Sequence, residues 1–302
     1  MINLNKYLAS AIEMAKGAGE IQLRYFRNPA LESETKLNAF DVVTAADKES
    51  ERFIKSYIAN NFPEHGIISE ESGSDHDDRD WRWVVDPLDG TTNFNNGLPV
   101  FSVSIALEYK GEAMVGVVYA PYIGEMFQAV KGGGAYLNDR KIHCSDRKSL
   151  DQAVVATGMP YDRAVNPDNN MAEIERVVCK VRGTRRLGSA AMDLCYTAAG
   201  FFDAYWELNL HRWDIAAGVL IAREAGAKVE NIRSDRNFSI LAASPSILPL
   251  FRTLILPELY KSCGERVFWH KKFCGDRIFE HKKFCGGRIF RYKKFCANLY
   301  FY

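Results

Sequence analysis

Asp86 and Asp89 stand close together in Asp86-Pro87-Leu88-Asp89-Gly90-Thr91-Thr92-Asn93-Phe94, directly after the apolar run Trp83-Val84-Val85. The run reads as a buried strand, because its β-branched residues adjoin with no charge between them. Pro87 then forbids a continued ladder. Two carboxylates at the mouth of a buried strand repel each other unless something positive lies between them. A hard divalent cation with oxygen ligands meets that need. Gly90 has no side chain, so the N–H groups after Asp89 can approach a ligand closely and hold an anion such as phosphate against the cation. Thr91 and Thr92 add hydroxyls.

Other residues allow a chemical and a structural reading side by side. Thr44 and Asp47 suit a helix start, so Asp47 could be only a cap. Gly66-Ile67-Ile68-Ser69-Glu70-Glu71-Ser72-Gly73 reads as a short strand ending in paired acids, although adjacent acids on a surface are usually just solvated. Asp214 falls in the first turn of a helix, where acids commonly cap. The small residues of Gly188-Ser189-Ala190-Ala191 open a helix that could accept a hydroxyl-rich or anionic ligand; tight packing explains them equally well. Gly132-Gly133-Gly134 lacks the Gly-Lys-Ser/Thr of a phosphate loop and reads as a turn. The acids between Asp75 and Asp80 lack the glycine and closing Glu of a calcium loop, and read as a polar, mobile loop.

Together, the run 86–94, the Val43-Thr44-Ala45-Ala46-Asp47 block, the Glu70-Glu71 pair and Trp213-Asp214-Ile215-Ala216-Ala217-Gly218 resemble the inositol monophosphatase family of magnesium-dependent, lithium-sensitive sugar phosphatases. The resemblance covers about residues 4–260. It implies two or three Mg²⁺ ions on Glu70, Asp86, Asp89, Asp214 and the Leu88 carbonyl. It implies that Asp47 polarises the Thr91 hydroxyl, and that Thr91 and Glu70 activate water with no covalent phosphoenzyme. Phosphate would rest on Gly90 and Thr91. The substrate's hydroxyls would meet Asp89, Gly188, Ser189, Ala190, Glu207 and Asp214. Ser69 stands where the family more often has Gly. His211 looks like an imidazole base, but the family uses water and metal, so it is read as a positioning or packing residue. The implied activity is hydrolysis of inositol 1-phosphate and related polyol phosphates, in a cytoplasmic homodimer. Relatives act on fructose 1,6-bisphosphate, NADP, histidinol phosphate or 3′-phosphoadenosine 5′-phosphate. A regulatory RNA-binding protein is the alternative from a different class.

These residues need a scaffold. Apolar positions at helical spacing predict a helix over 4–26, and Phe53, Ile54, Tyr57 and Ile58 give the segment after Asp47 its apolar face. Residues 98–145 read as strands, with a central one at 100–107 apolar on both faces. A strand at 153–158, a helix at 170–181, a strand and helix through 202–218, and a helix near 245–261 follow. The mixed order predicts a layered α/β architecture, which the resemblance sharpens to the αβαβα sandwich of the sugar phosphatases. The expected divisions are residues 1–150, 151–262 and 263–302.

Composition separates the last of these from the rest. The 302 residues are 47% hydrophobic and 25% charged, ordinary for a globular protein. No apolar run spans a membrane and the first residues lack a signal peptide's apolar stretch, so the cytoplasm is expected. Seven cysteines do not make a disulfide framework at this length. Residues 263–302 hold ten Lys/Arg and three Asp/Glu, a net of +7, against 29 and 35 elsewhere, a net of −6. An eleven-residue unit around Lys-Lys-Phe-Cys repeats there, at Cys274, Cys285 and Cys296. Basic and aromatic residues interleaved could bind nucleic acid or an anionic membrane. His270, Cys274, His281 and Cys285 could bind zinc, but without the paired short spacings of reliable motifs. The favoured reading is a translated repetitive DNA segment forming a poorly ordered extension, with nucleic-acid contact only through this tail and no membrane partner.

Overall fold

The computed structural model describes residues 3–28, 33–35, 42–75, 78–233, 235–256, 279–285 and 288–294. Helix α1 (Leu4–Tyr25) buries Ala11, Met14, Ala15, Ala18 and Ile21 along one face, as its spacing requires. The ribbon of β1 (Ser33–Thr35) and β2 (Val42–Thr44) leads into α2 (Ala45–Asn61). Ile54 and Ile58 of α2 join the buried face of α1 in one apolar cluster.

That cluster rests on an eight-stranded sheet. Strands β3 (Gly66–Ser69), β4 (Gly73–Asp75) and β5 (Trp81–Asp89) precede the short helix α3 (Thr91–Asn95). A meander follows through β6 (Ser102–Tyr109), β7 (Glu112–Ala120), β8 (Glu125–Val130), β9 (Gly134–Leu137) and β10 (Arg140–Ile142). The spatial order is β10-β9-β8-β7-β6-β5-β3-β4, with β3 and β5 parallel. Alternation along the central strands sends Trp83, Val85, Val103, Ile105 and Leu107 to the α1–α2 side. Val84, Ala106 and Val118 go to the opposite side. Both faces are covered, which is why these strands read as continuous apolar runs.

The chain then builds a second sheet. Its elements are β11 (Val154–Thr157), α4 (Met171–Val178), β12 (Gly183–Arg185), α5 (Ala190–Ala198), β13 (Ala204–Leu210), α6 (Arg212–Glu224), β14 (Lys228–Asn231), β15 (Phe238–Ala243) and α7 (Leu248–Ile255). The strand order is β12-β11-β13-β15-β14. Helices α5 and α6 fill the space between the sheets. Met192, Ala217 and Ile221 pack toward the first sheet, while Leu194 and Ile215 meet Ala156, Tyr205 and Ile240 of the second. The α6 backbone comes so near that a Cβ on Gly116 would stand 2.9 Å from the Ala217 carbonyl. On the far face, Phe251 of α7 packs edge-on against Trp206 at 5.4 Å, and Arg176 of α4 donates to the Leu254 carbonyl at 2.6 Å. The layers are therefore helix, sheet, helix, sheet, helix, as expected.

Two elements differ from the sequence reading. Ser74 and Asp75, expected to begin a polar loop, form with Gly73 the edge strand β4; all three are exposed, so no apolar alternation announced it. The helix expected near 245–261 runs Leu248–Ile255, and 257–260 lie outside the described residues. Met1–Ile255 is one compact unit and Leu256–Tyr302 another. In the second, β16 (Phe279–Cys285) pairs antiparallel with β17 (Arg288–Lys294). The expectation of poor order over 263–302, and the pairing of His270 and Cys274 with zinc, otherwise fall outside the described residues. Among the described residues, no helix is long and apolar enough to cross a membrane.

Candidate active site

Parallel strands deliver their C-terminal ends to the same edge of a sheet, where ligands commonly bind. Here β3 and β5 bring Glu70 beside Asp86: the Glu70 N–H donates to the Val85 carbonyl at 3.2 Å, and the Glu70 carboxylate is near enough to help raise the Asp86 carboxyl. Past Asp86 the pairing of β5 with β6 slips, from Asp86↔Ser104 to Asp89↔Ser102, so β5 carries one extra residue. Pro87 has no N–H to give to β6. Asp86 Oδ1 accepts the Leu88 N–H at 3.0 Å, and buried Gln22 of α1 donates to the Pro87 carbonyl at 2.7 Å. The bulge thus gathers Asp86, the Leu88 carbonyl and Asp89 into one turn, while the Leu88 side chain anchors among Ala46, Phe94 and Phe101.

Gly90 closes that turn at φ +89°, and a Cβ there would meet the Val100 carbonyl at 2.9 Å. Conformation and space both demand glycine. The next residue, Thr91, places its hydroxyl 2.9 Å from the Leu88 carbonyl and 3.1 Å from Asp47 Oδ1. Asp47 also accepts at Oδ2 from the Thr44 N–H at 2.8 Å and the Thr44 hydroxyl at 2.6 Å, closing a capping box on α2. Cap and Thr91 partner, posed as alternatives by the sequence, are both present. Burial pushes the Asp47 carboxyl up to about 7; the Thr44 bonds restrain it, and the charges of Glu70 and Glu71 add to the rise.

Asp89 reaches across to the other sheet's helices. Its Oδ2 accepts the Ser189 hydroxyl at 2.6 Å and the Ala191 N–H at 2.8 Å. Ser189 is itself the N-cap of α5, accepting the Met192 N–H at 3.3 Å. The small residues at the N-terminus of α5 left a ligand and tight packing equally open; in the structure the carboxylate there is Asp89 of the same chain. Burial lifts the Asp89 carboxyl to about 6, with these donors holding it back. Asn93 fastens the same junction, giving both amide hydrogens to carbonyls, Val100 at 2.8 Å and Leu187 at 2.7 Å. Gly188, at φ +81°, leaves room for that amide.

Asp214 sits in the first turn of α6 and accepts the His211 N–H at 2.7 Å, so it too caps a helix. Burial first, then the charges of Glu70 and Asp89, raise its pKa well above the usual carboxylate range; Asp86 is raised likewise by burial and by Glu70, Asp89 and Asp214. The His211 ring stacks on Trp213 at 4.7 Å and 5°, in keeping with a packing role. The Trp213 carbonyl accepts the Ser104 hydroxyl at 3.3 Å, tying α6 to β6.

Half-buried Glu207 on β13 accepts the Tyr205 hydroxyl at 2.6 Å. Burial raises its carboxyl to about 7, opposed by Tyr205 and by the charge of Arg186. Gly158 makes space for it: a Cβ there would lie 2.0 Å from the Glu207 carboxyl. Sequence reasoning missed Tyr205, Gly158, Gln22, Asn93 and a further acid, Asp193. The last is 1% exposed, and neither carboxyl oxygen has a hydrogen-bond partner. Burial lifts its pKa well above the carboxylate range, with Glu207 and Asp89 adding. Its one available signal was its position one helical turn beyond Ser189.

Glu70, Asp86, Asp89 and Asp214 therefore face one another electrostatically. Among the described residues, however, no three His, Cys, Asp or Glu side chains stand as a ready-made ion cage. The donor set still fits a hard cation. Its donors are all oxygen, and burial together with the charges of neighbouring acids raises Asp86 and Asp214, a repulsion that a cation would relieve.

A structure of inositol monophosphatase from Anabaena superposes with a TM-score of 0.76 at 39% identity, covering 85% of this chain and 97% of that one. Inositol-1-monophosphatase of Mesorhizobium japonicum is 45% identical over 212 residues, 68% of this chain and 80% of its own length. The Nus factor SuhB of Pasteurella multocida is 42% identical over 262 residues, 85% and 98% of the two chains. The sequence pattern of the inositol monophosphatase family matches residues 3–257, and the chain belongs to that family.

Proposed function

We propose that the protein is a Mg²⁺-dependent phosphomonoesterase acting on inositol 1-phosphate and related polyol or sugar phosphates. The observation that carries this reading is the β5 bulge, which gathers Asp86, the Leu88 carbonyl and Asp89 beside Glu70. Glu70, Asp86, Asp89, Asp214 and the Leu88 carbonyl would hold two or three Mg²⁺ ions, which when bound supply Lewis acidity to the attacking and departing oxygens. Thr91, its proton directed to Asp47, offers a lone pair that orients a water molecule, and Glu70 takes that water's proton. The N–H groups of Gly90 and Thr91 hold the phosphate. Glu207, steadied by Tyr205, accepts from substrate hydroxyls, with Gly188, Ser189 and Ala190 forming the adjoining wall. Water attacks phosphorus directly, so no side chain is phosphorylated. The family membership supports a cytoplasmic, lithium-sensitive homodimer.

Phosphate release from inositol 1-phosphate, fructose 1,6-bisphosphate, NADP, histidinol phosphate and 3′-phosphoadenosine 5′-phosphate tests the reading. The full chain is expected to release phosphate fastest from inositol 1-phosphate, and to stop when a chelator removes the metal. Folded protein silent on the whole panel with Mg²⁺ present would sink it. A second reading, a regulatory role with RNA, draws on the Nus factor name of the Pasteurella relative and on the +7 charge of residues 263–302. It requires RNA retention that weakens steeply with salt and disappears when the chain is cut after Ser262.

A further inference from the structure

The Glu70 N–H donates to the Val85 carbonyl of β5 at 3.2 Å, and beyond that residue the chain leaves the sheet. Glu70 opens the three-residue connection Glu70-Glu71-Ser72 between β3 and β4, where Ser69 pairs with Gly73. Strand β4 is the edge of the eight-stranded sheet and is wholly exposed, and Gly73 has φ +73° with nothing near its missing Cβ. Such an edge hairpin would not by itself hold a carboxylate to the tolerance a metal needs.

Helix α2 supplies the restraint. Glu51, 9% exposed, accepts at Oε1 from both the Ser72 N–H, at 3.0 Å, and the Ser72 hydroxyl, at 2.9 Å. Lys55, one turn further along, donates to the same hydroxyl at 2.9 Å. Asp47 lies one turn earlier, and residues four apart share a helix face. A single face of α2 thus carries two buried carboxylates with different tasks: Asp47 grips Thr91, and Glu51 grips the connection that bears Glu70. Thr91 comes from the β5–α3 turn and Glu70 from the β3–β4 hairpin. A helix has a fixed rise, so its two carboxylates fix the separation of these otherwise independent segments.

We propose that Glu51 is a positioning residue which, through Ser72, holds Glu70 in register with Thr91 for cation binding and water activation. The proposal rests on the reading of Glu70 as a cation ligand. It explains a buried acid spent on an exposed serine, a pairing that stability alone does not require.

Titration calorimetry of the metal-free full chain with Mg²⁺, without substrate, reads the effect directly. Partners that orient a metal ligand typically change affinity ~10–100-fold, so Glu51→Ala is expected to weaken Mg²⁺ binding about 10-fold. The Mg²⁺ concentration for half-maximal phosphate release should rise in parallel, with KM for substrate at saturating Mg²⁺ within about 2-fold. Glu51→Gln should recover most of the loss, because its carbonyl oxygen still accepts both Ser72 donors. A folded Glu51→Ala protein with wild-type Mg²⁺ affinity overturns the proposal. If that variant fails to fold, Ser72→Ala decides: it cuts half the clamp from the exposed side, and a weakening of about 3-fold supports the proposal while none overturns it. Glu70→Gln separates the two levels. Unchanged Mg²⁺ binding in that variant refutes the ligand assignment itself, whereas loss there with none in Glu51→Ala refutes only the clamp.

Discussion

Asp89→Asn is expected to lower phosphate release at least ~100-fold while leaving the protein folded. Outer partners of metal ligands cost ~10–100-fold, so a direct ligand begins where they end. The substitution keeps an acceptor for Ser189 and Ala191, the donors that now meet Asp89 Oδ2. It removes one negative charge from a group of four neighbouring acids, of which Asp86 and Asp89 are buried. Metal-free Asp89→Asn should therefore melt at the same temperature as wild type or higher, the usual exchange of stability for function at a charged site. Calorimetric melting and initial rates on one preparation check both halves. Normal turnover by the variant would remove Asp89 from the mechanism.

Metal-free protein is expected to lose stability as pH rises from 5 to 8. Asp47, Asp89 and Glu207 have folded pKa values of about 7, about 6 and about 7, above the ordinary 3.8 to 4.5 of exposed carboxyls. Between those limits the folded chain binds more protons than the unfolded one, so unfolding becomes easier with each pH step. Raising a carboxyl from 3.8 to about 6 corresponds to ~3 kcal/mol, and the acids share much of their shift. A fall in Tm of ~10 °C across the window is the expected scale. His65, whose pKa burial lowers, acts in the opposite direction below about pH 6.5, and is one group against several. Mg²⁺ should raise Tm more at pH 8 than at pH 5, because the acids need no proton once a cation faces them. Scanning calorimetry with chelator and with Mg²⁺ measures this; a metal-free Tm that is flat or rises toward pH 8 would contradict it.

What was readable in the sequence follows the range of the interactions. The β5 mouth announced itself because an unbroken apolar run, a proline and an Asp-Gly pair lie within a few residues of one another. Strands buried on both faces and an amphipathic α1 were likewise local patterns. The partner of the α5 N-terminus was not local: Asp89 and Ser189 are separated by 100 positions. Nothing local in the sequence announced that occupant. Asp193 reads as an ordinary helix acid until its neighbours are known, and Glu51 as one more charge on α2. Strand β4 has three polar residues and no pattern at all.

The distance along the chain between Asp89 and its companions also sets a timetable. Glu70, Asp86 and Asp89 are all made before α5 or α6 exists, and Asp214 follows Asp89 by 125 residues. At ~5–20 residues per second of synthesis, roughly 6–25 s pass before the last of these acids is added. Through that interval the growing chain carries Glu70, Asp86 and Asp89 without their later partners. It has neither the α5 cap nor Asp214 to complete the set, so the proposed cation site is a late product of translation.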